Sequence, residues 1–460
     1  MMKFKGKTKT IVLILVIILL LAWSFPSYIS KIWSRLGFKS SRPNIVLITI
    51  DTLRADKLGV YGFPANISPE IDELANNGVV FSRVIAQSSW TRPSIGSFLT
   101  SRYPRQLGLY EEKWDVLPEE FTTLAESLKS AGYTTIGVTA NPNINKFFQF
   151  DQGFDAYVDS QVIFRWMKDE DGKEKATKKL HLKPAKEVFR HALDEVSKLP
   201  KNPCYLQINI MDVHEGRRVP ASEADPDLQS YDSPGYLQKV REASRETGAF
   251  IKELRQRPGW ENTLFIINSD HGEGLNDHEG IRGSKGHGFI LYKSQVWVPM
   301  IFYHTNDKTL SGMKIDQTVR LLDLMPTVLE IAGAKAPEGM EGRSFKPLLE
   351  GQSLAQLTEP VFAESSRGKS DKMAAYSEDL IYLENYDGWK DLPPKELQNF
   401  EGNERGIFTD VSSQHPEEKA NLEKALAEFK NKYPASNPSV PKQVPSDDDV
   451  QRLRSLGYLK

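Results

Sequence analysis

A chain of 460 residues with a single cysteine, Cys204, carries no intrachain disulfide framework and no thiolate metal cluster. It also has almost no net charge, 59 basic side chains standing against 61 acidic ones for a balance of -2. That removes any electrostatic reason to expect a nucleic-acid partner. Internal repeats are absent. Cys204 lies inside an apolar run and reads as a core residue. With 39% hydrophobic residues, the chain can build one large domain with additions, or two domains, around a sizeable core.

What is present begins at the N-terminus. "MMKFKGKTKT" carries four lysines, and "IVLILVIILLLAW" follows with no charged or polar residue. This run is short for a membrane span and falls within the range of a signal-peptide core. No small-x-small cleavage site follows it, however, and counting from Ile11 to Ile29 gives a stretch long enough to cross. Trp23, Tyr28 and Trp33 sit where interfacial aromatics sit. The reading is therefore a cytoplasmic basic tail at 1–10, an uncleaved transmembrane signal anchor at 11–29 and a linker at 30–42, with a removed signal peptide as the alternative. Either way the body is exported, to the outer face of the cytoplasmic membrane or the periplasm if the cell is bacterial.

Beyond the linker, "NIVLITID" is a continuous apolar run that ends in an acid, a buried parallel strand carrying Asp51 at its carboxyl end. "SPEIDELANNG" reads as a capped helix closed by Gly78, and "VVFSRVIAQ" as one strand. "FTTLAESLKSAGYTTIGVTA" is helix, glycine stop and strand. "CYLQINIMDVH" is a strand ending near Asp212 and His214, and "NTLFIINSDHGEG" one ending at Asp270 and His271. Strands alternating with helices predict an α/β fold, a doubly wound and mostly parallel sheet flanked by helices. A charged insertion over 160–185 reads as a surface loop or hairpin. The text changes near Thr318, where "VRLLDLMPTVLEIAG" is an amphipathic helix with a glycine stop. These boundaries give a catalytic domain at 43–351, a smaller C-terminal α+β part at 352–433 and a Pro/Ser linker and tail at 434–460.

In such sheets ligand chemistry gathers past the carboxyl ends of the strands, where these acids and histidines fall. Asp51, Asp270 and His271 would form a mixed oxygen and nitrogen shell around a divalent cation. That suits zinc or manganese better than calcium, with calcium and magnesium left open. Adjacent residues on a strand face opposite ways, so Asp270 and His271 can converge only where the chain leaves the sheet, and Gly272 permits that. His287 lies in a glycine-rich loop, "GSKGHGFILY", shortly after. The stretch "SSWTRPSIGSFLTSRYP" places Thr91 at a loop-to-helix junction. There its hydroxyl either caps the helix or attacks an anion held by the helix's free amides. As a fourth metal ligand, Thr91 would lose its proton easily and serve as a nucleophile toward a tetrahedral anionic ester. Lys285 stands near enough in sequence to reach that ester as a point charge. His278 reads as a surface-loop histidine with a contribution to a second anion or metal position as the alternative; His304 and His415 read as structural or exposed.

Over roughly Pro43 to Gly351 the chain resembles the sulfatase family of the alkaline-phosphatase superfamily. The matching stretches include "RPNIVLITIDTLRAD", "SPEIDELANNGVVFSR", "SSWTRPSIGSFLTSRYP", "FDQGFDAY", "SDHGEGL", "GHGFILYKSQVWVPMIF", "DLMPTVLEIAG" and "MEGRSFKPLLEG"; farther on, "IFTDVSSQHPEEKANL" is similar to the family's C-terminal segment. The resemblance implies that Asp51, Asp270 and His271 are metal ligands and Thr91 the nucleophile. It further implies that His214 and His287 are catalytic, holding the substrate's anionic group or a second metal. The departures are specific. Threonine cannot become the formylglycine of the family's sulfatases, the motif's arginine is Ile95, a second aspartate is Thr52, and the asparagine of the calcium site is His271. The Gly-Lys and nearby His of the family's substrate pocket have no counterpart, which brings Asn141 forward as a pocket residue, while Arg92, directly after the nucleophile, stands in for the missing motif arginine as a second substrate-binding residue. The expected activity is metal-dependent hydrolysis of sulfuric or phosphoric esters, lipid- or glycan-linked. The alternatives are a membrane-anchored phosphoethanolamine or phosphoglycerol transferase and a non-catalytic binding protein of the same fold.

Overall fold

The computed structural model describes residues 42–439 apart from 111–114, 160–166, 169–173, 176–182, 199–202, 215–218, 282, 356, 358, 367–370, 386–391 and 402–408. The candidate membrane span lies outside the described residues, as do most of the charged insertion and of the 434–460 tail. Among the described residues no helix is long and apolar enough to cross a membrane.

In chain order the strands are β1 (Asn44–Ile50), β2 (Val79–Phe81), β3 (Val84–Ile85), β4 (Thr134–Thr139), β5 (Ala156–Val158), β6 (Met167–Lys168), β7 (Glu174–Lys175), β8 (Cys204–Ile210) and β9 (Thr263–Asn268). They continue as β10 (Trp297–Val298), β11 (Met300–His304), β12 (Met313–Ile315), β13 (Val319–Arg320), β14 (Val361–Ser365), β15 (Lys372–Tyr376), β16 (Leu380–Asn385) and β17 (Lys395–Asn399). Eight of them form the central sheet in the order β12-β2-β11-β9-β1-β8-β4-β5. It is antiparallel only where β11 meets β9 and β2. β1 lies between β8 and β9, parallel to both, so its two edges are paired; with helices on both faces, all seven residues of NIVLITI are buried. Its two polar residues are both hydrogen-bonded: Asn44 Nδ2 donates to the Gly259 carbonyl at 2.8 Å, and Thr49 donates to Asn268 on the neighbouring strand, also at 2.8 Å.

Each face of the sheet has its own helices. Val46, Ile48 and Ile50 pack with the helices Pro69–Asn76, Ala185–Lys198 and Pro234–Leu254. In the second of these, Ala185, Val188, Phe189, Ala192, Leu193 and Val196 recur at three- and four-residue spacing, which makes one apolar stripe. Ile45 and Leu47 face the other layer, formed with the helices Thr91–Thr100, Leu124–Ser130 and Leu324–Ala332. The doubly wound sheet is thus as expected. Cys204 is a core residue whose thiol burial pushes up to about 12.

Three local readings need correction. "VVFSRVIAQ" is not one strand: it breaks at Ser82 and Arg83, leaving β2 in the central sheet while β3 joins the small sheet β10-β3-β13. The Pro69–Asn76 helix ends on Asn77 rather than Gly78, and Ser68 bonds Asp72 instead of capping the helix. Thr91 is the first helical residue and not the cap; Trp90 holds that position, with no side-chain capping bond. Within the charged insertion β6 and β7 pair antiparallel, as a hairpin does. The C-terminal part is the antiparallel sheet β14-β15-β16-β17 with the helix Pro416–Lys432 packed on it through Leu422, Leu426 and Phe429.

Candidate active site

β1 and β9 are neighbours, so their carboxyl ends deliver Asp51 and the Asp270-His271 pair to one place. One ligand atom from each of these three residues lies within 4.8 Å of the others, and all three are fully buried. The chain turns sharply to release Asp51 from the strand. Thr52 takes φ +59°, a left-handed conformation that a β-branched residue adopts at a cost of about 1–3 kcal/mol. That turn aims the Thr52 amide at Asp270 Oδ1, 3.4 Å away. Gly272 serves a different purpose from the one expected. Its φ is not left-handed; a Cβ there would meet the Ser294 carbonyl at 2.1 Å, because the Gly272 amide donates to Gln295 O at 2.8 Å. Close backbone approach demands the glycine.

The Thr91–Thr100 helix starts against this pair of strand ends. Ser94 Oγ donates to the Asp270 carbonyl at 2.6 Å and so fixes the helix to the β9 terminus. Thr91 Oγ1 then lies 3.2 Å from His271 Nε2. His271 Nδ1 is 2.9 Å from the Gly272 carbonyl. That bond places the ring proton on Nδ1 and turns the Nε2 lone pair toward Thr91 and Asp270.

Two buried carboxylates so close are costly without a cation. Burial first, and then the charge of Asp270, holds the Asp51 carboxyl well above the usual range; burial also raises Asp270, against the pull of His271. Among the described residues, Asp51 Oδ1 and Asp270 Oδ2 have no hydrogen-bond partner. The donor set, two carboxylates and a neutral imidazole with a hydroxyl beside it, fits a divalent cation.

Around this group stand further histidines. His287 is a ring-to-ring 4.6 Å from His271, and His214 is 5.2 Å from His287. Both were singled out in the sequence, and the fold gathers them. Asn141 sits at the same place but faces inward: its Nδ2 donates to Asp51 Oδ2 at 2.5 Å and its Oδ1 accepts from the Asn143 amide at 2.8 Å. It holds Asp51 rather than lining an open recess. Arg92 directs Nη1 to the Asp115 carbonyl and Nη2 to Asn143 Oδ1, its guanidinium 3.9 Å over the Phe148 ring. Lys285 is exposed, unlike the buried group. Its position in a loop turns the amine to solvent. His278 is 2% exposed, edge-on to Tyr292 at 5.0 Å, so it is not a surface histidine. His304 accepts the Asn306 and Asp307 amides through Nδ1, a structural role.

Sequence reasoning missed three contributors. Glu273, fully buried, places Oε2 3.3 Å from His287 Nδ1. Trp90 stacks on His287 with centroids 6.1 Å apart. Ser94 anchors the helix. The signal for Glu273 was legible in "SDHGEG": an acid two residues past a ligand histidine, in a stretch too apolar on its upstream side to be surface.

Comparison with known proteins shows the family. A family model described as Sulfatase matches residues 43–334, and one described as N-sulphoglucosamine sulphohydrolase, C-terminal, matches 287–424. Fold and family together define a hydrolase of sulfuric or phosphoric esters in the alkaline-phosphatase superfamily. The chain belongs to the sulfatase family. An arylsulfatase of Clostridium perfringens is 24% identical over 440 residues, covering 78% of this chain and 90% of that protein. The N-acetylgalactosamine-6-sulfatase of Homo sapiens is 24% identical over 370 residues, covering 70% and 68%. Among solved structures, Ps i-CgsB superposes with a TM-score of 0.66 at 20% identity over 90% of this chain and 98% of that one. The phosphonate monoester hydrolase SpPMH from Silicibacter pomeroyi gives 0.65 at 17% identity over 86% and 96%. At those identities the likeness is one of fold.

Proposed function

We propose that the chain is a metal-dependent hydrolase of sulfuric or phosphoric esters that acts through a covalent ester on Thr91. The observation that carries this reading is the 3.2 Å approach of Thr91 Oγ1 to His271 Nε2, at a helix N-terminus facing Asp51 and Asp270. Asp51, Asp270 and His271 would hold the cation with Thr91 alongside, and the mixed donor set favours zinc or manganese. When bound, such an ion supplies Lewis-acid polarisation and lowers the proton affinity of an oxygen beside it.

The chain's own groups account for the remainder. The amides of the first helical turn, Thr91 onward, attract the anionic group of the ester. Thr91 Oγ attacks sulfur or phosphorus; the new Oγ bond forms as the bond to the alcohol oxygen breaks. His214 and His287 stand beside the group, where an imidazole can take the Thr91 proton and give one to the departing alcohol. Water then cleaves the Thr91 ester and returns the proton. Glu273, on His287 Nδ1, orients that ring. Wedging Trp90 against His287 keeps bulk water from the cluster on that side.

Sulfated sugars are the favoured substrates, because the relatives include enzymes named for them: an ulvan-active sulfatase of Formosa agariphila and a solved complex with D-glucosamine-2-N,6-O-disulfate. The transferase alternative has no observation in its favour. We place the enzyme at the outer face of a membrane, held by the 11–29 segment; the lysines before an uninterrupted apolar run support that orientation. Resistance to an alkaline carbonate wash, lost on deletion of that segment, is the expected result, and a fully soluble full-length protein would contradict it.

The activity is tested by incubating wild-type protein with aryl sulfates, phosphomonoesters and phosphodiesters, quenching in acid, and mapping the added mass. A sulfuryl or phosphoryl adduct on the Thr91 peptide is expected. Turnover with no adduct on that peptide, and undiminished turnover in Thr91→Ala, would refute the covalent route.

A further inference from the structure

The turn that releases Asp51 is tied down by two hydroxyls from elsewhere in the fold. The Leu53 amide lies 3.3 Å from the Ile50 carbonyl, which closes a β-turn with Asp51 and Thr52 as its central residues. The φ of +59° falls at the second of these, the place where type II turns call for glycine. Thr52 is the only β-branched residue with positive φ among those described. Its own hydroxyl does not hold it there: Oγ1 is buried with no hydrogen-bond partner among the described residues.

The holding is done from outside the turn. Tyr236, in the first turn of the Pro234–Leu254 helix, is buried, and its hydroxyl meets the turn twice. It donates to the Thr52 carbonyl at 2.9 Å and accepts from the Arg54 amide at 3.0 Å. Ser269, just past the end of β9, works from the other side. Its Oγ accepts from the Leu53 amide at 2.9 Å, and its single proton serves the Ile50 or the His271 carbonyl, each 2.7 Å away. Strained backbone persists only where the surroundings over-determine it, and these two hydroxyls are what does so here. Deleting the Tyr236 hydroxyl leaves a buried carbonyl and a buried amide unpaired, which adds to the drive to rearrange. Thr52 then relaxes toward negative φ, and the Asp51 carboxyl, one residue upstream, moves with it.

We propose that Tyr236 is a positioning residue for the metal site: its hydroxyl holds Thr52 at positive φ and thereby aims Asp51 at Asp270 and His271. Groups that orient a ligand from behind govern metal affinity by about tenfold or more. The role of Asp51 as a ligand rests on the hydrolase reading above, whereas the hold on the turn rests on the turn's own hydrogen bonds.

The test reads metal affinity and exchange, not turnover. Full-length protein is stripped with chelator, and zinc and manganese affinities are measured by calorimetry in wild type, Tyr236→Phe, Thr52→Gly and the double variant. Tyr236→Phe keeps the ring and is expected to bind the ion about tenfold more weakly or worse. Thr52→Gly, which adopts positive φ without strain, is expected to stay within about threefold of wild type and to bring Tyr236→Phe back to that range. A hydroxyl that merely stabilised the fold would lower the melting temperature and leave metal affinity unchanged, and that result overturns the proposal. So does a loss of affinity that Thr52→Gly fails to repair. Hydrogen exchange in the metal-free proteins, read by mass spectrometry on peptides ending at Leu53, needs no ion. Faster exchange there in Tyr236→Phe, with the middle of the Pro234–Leu254 helix as in wild type, is expected; equal exchange overturns the hold on the turn. Should Tyr236→Phe not fold, Ser269→Ala unties the same turn and is read in the same two ways. Wild type that binds neither ion would sink the hydrolase reading alone, and exchange then decides the rest.

Discussion

Two groups of buried acids lie a few residues apart in this molecule, and they are built on opposite terms. Asp56 and Asp277 share Arg54, whose Nε and Nη2 grip both oxygens of Asp56 at 2.8 and 2.7 Å while Nη1 bonds Asp277 and the Glu273 carbonyl. Opposite charge outweighs burial there: Asp56 is held far below the usual carboxylate range and Arg54 far above its own. Among the described residues Asp51 and Asp270 have no such cation, and burial and repulsion drive them the other way. The first group is complete within the chain and holds the 273–277 loop against the end of β1. The second is complete only with something added. A buried charge that the fold does not neutralise is a mark of function, where a neutralised one is a mark of structure.

The largest expected effect breaks the second group at its reactive member. Thr91→Ala removes the nucleophile and should lower kcat by about 10³-fold or more, as removal of a covalent nucleophile does. Thr91→Ser should keep measurable turnover, because it retains the hydroxyl. Initial rates on the substrate that wild type cleaves best, with circular dichroism as a check of folding, decide this. The next effect breaks the first group. Arg54→Met leaves Asp277 without its cation and Asp56 with Lys57 Nζ alone, at 2.9 Å, and should cost about 3 kcal/mol in urea unfolding. Asp51→Asn should do the opposite in chelator-treated protein: relieving repulsion, it should leave the metal-free fold as stable as wild type or more so, while abolishing metal-dependent activity. Equal destabilisation by both substitutions would erase the distinction between the groups. A third effect is smaller. Zinc or manganese at 100-fold over its dissociation constant should stabilise wild-type protein by about 2.7 kcal/mol, and Asp51→Asn protein by much less, as thermal unfolding with and without the ion would record.

The sequence made the second group legible and the first one not, for a physical reason. Asp51, Asp270 and His271 stand at the ends of apolar runs that can only be buried parallel strands, so their convergence follows from strand order at a sheet's carboxyl edge. Thr91 was recognisable as a loop-to-helix hydroxyl, and the family likeness made it a nucleophile. Arg54, Asp56 and Asp277 lie in loops, where no periodicity tells which partners meet. Loops also explain the exposed Lys285 and the inward Asn141: a residue's distance from a site along the chain says little about where a turn aims it. β3 was missed because two residues, Val84 and Ile85, are too few for alternation to register. The pairing of Glu364 with Arg105, Oε2 to Nε at 3.5 Å, was invisible for another reason: Glu364 belongs to the C-terminal sheet, 259 residues along the chain from its partner.

Glu364 also supplies the smallest test, because it is intermediate between the two groups: an acid with a basic partner that does not fully neutralise it. Its folded pKa is about 7, above the ordinary value of 4.5. The folded state therefore holds a proton that the unfolded chain has given up between those values. Stability must then fall as pH rises from about 4.5 to about 7 and stay level above, the reverse of an acid held by a strong ion pair. Glu364 and Arg105 are each 12% exposed, so the full shift is discounted for solvent, leaving on the order of 2 kcal/mol. Glu364→Gln removes this dependence. The difference in unfolding free energy, wild type minus variant, should be most favourable to wild type near pH 4.5 and shift toward the variant by pH 8. Urea titrations at those two pH values measure it, and a difference that stays constant would mean that Arg105 neutralises Glu364 as fully as Arg54 does Asp56.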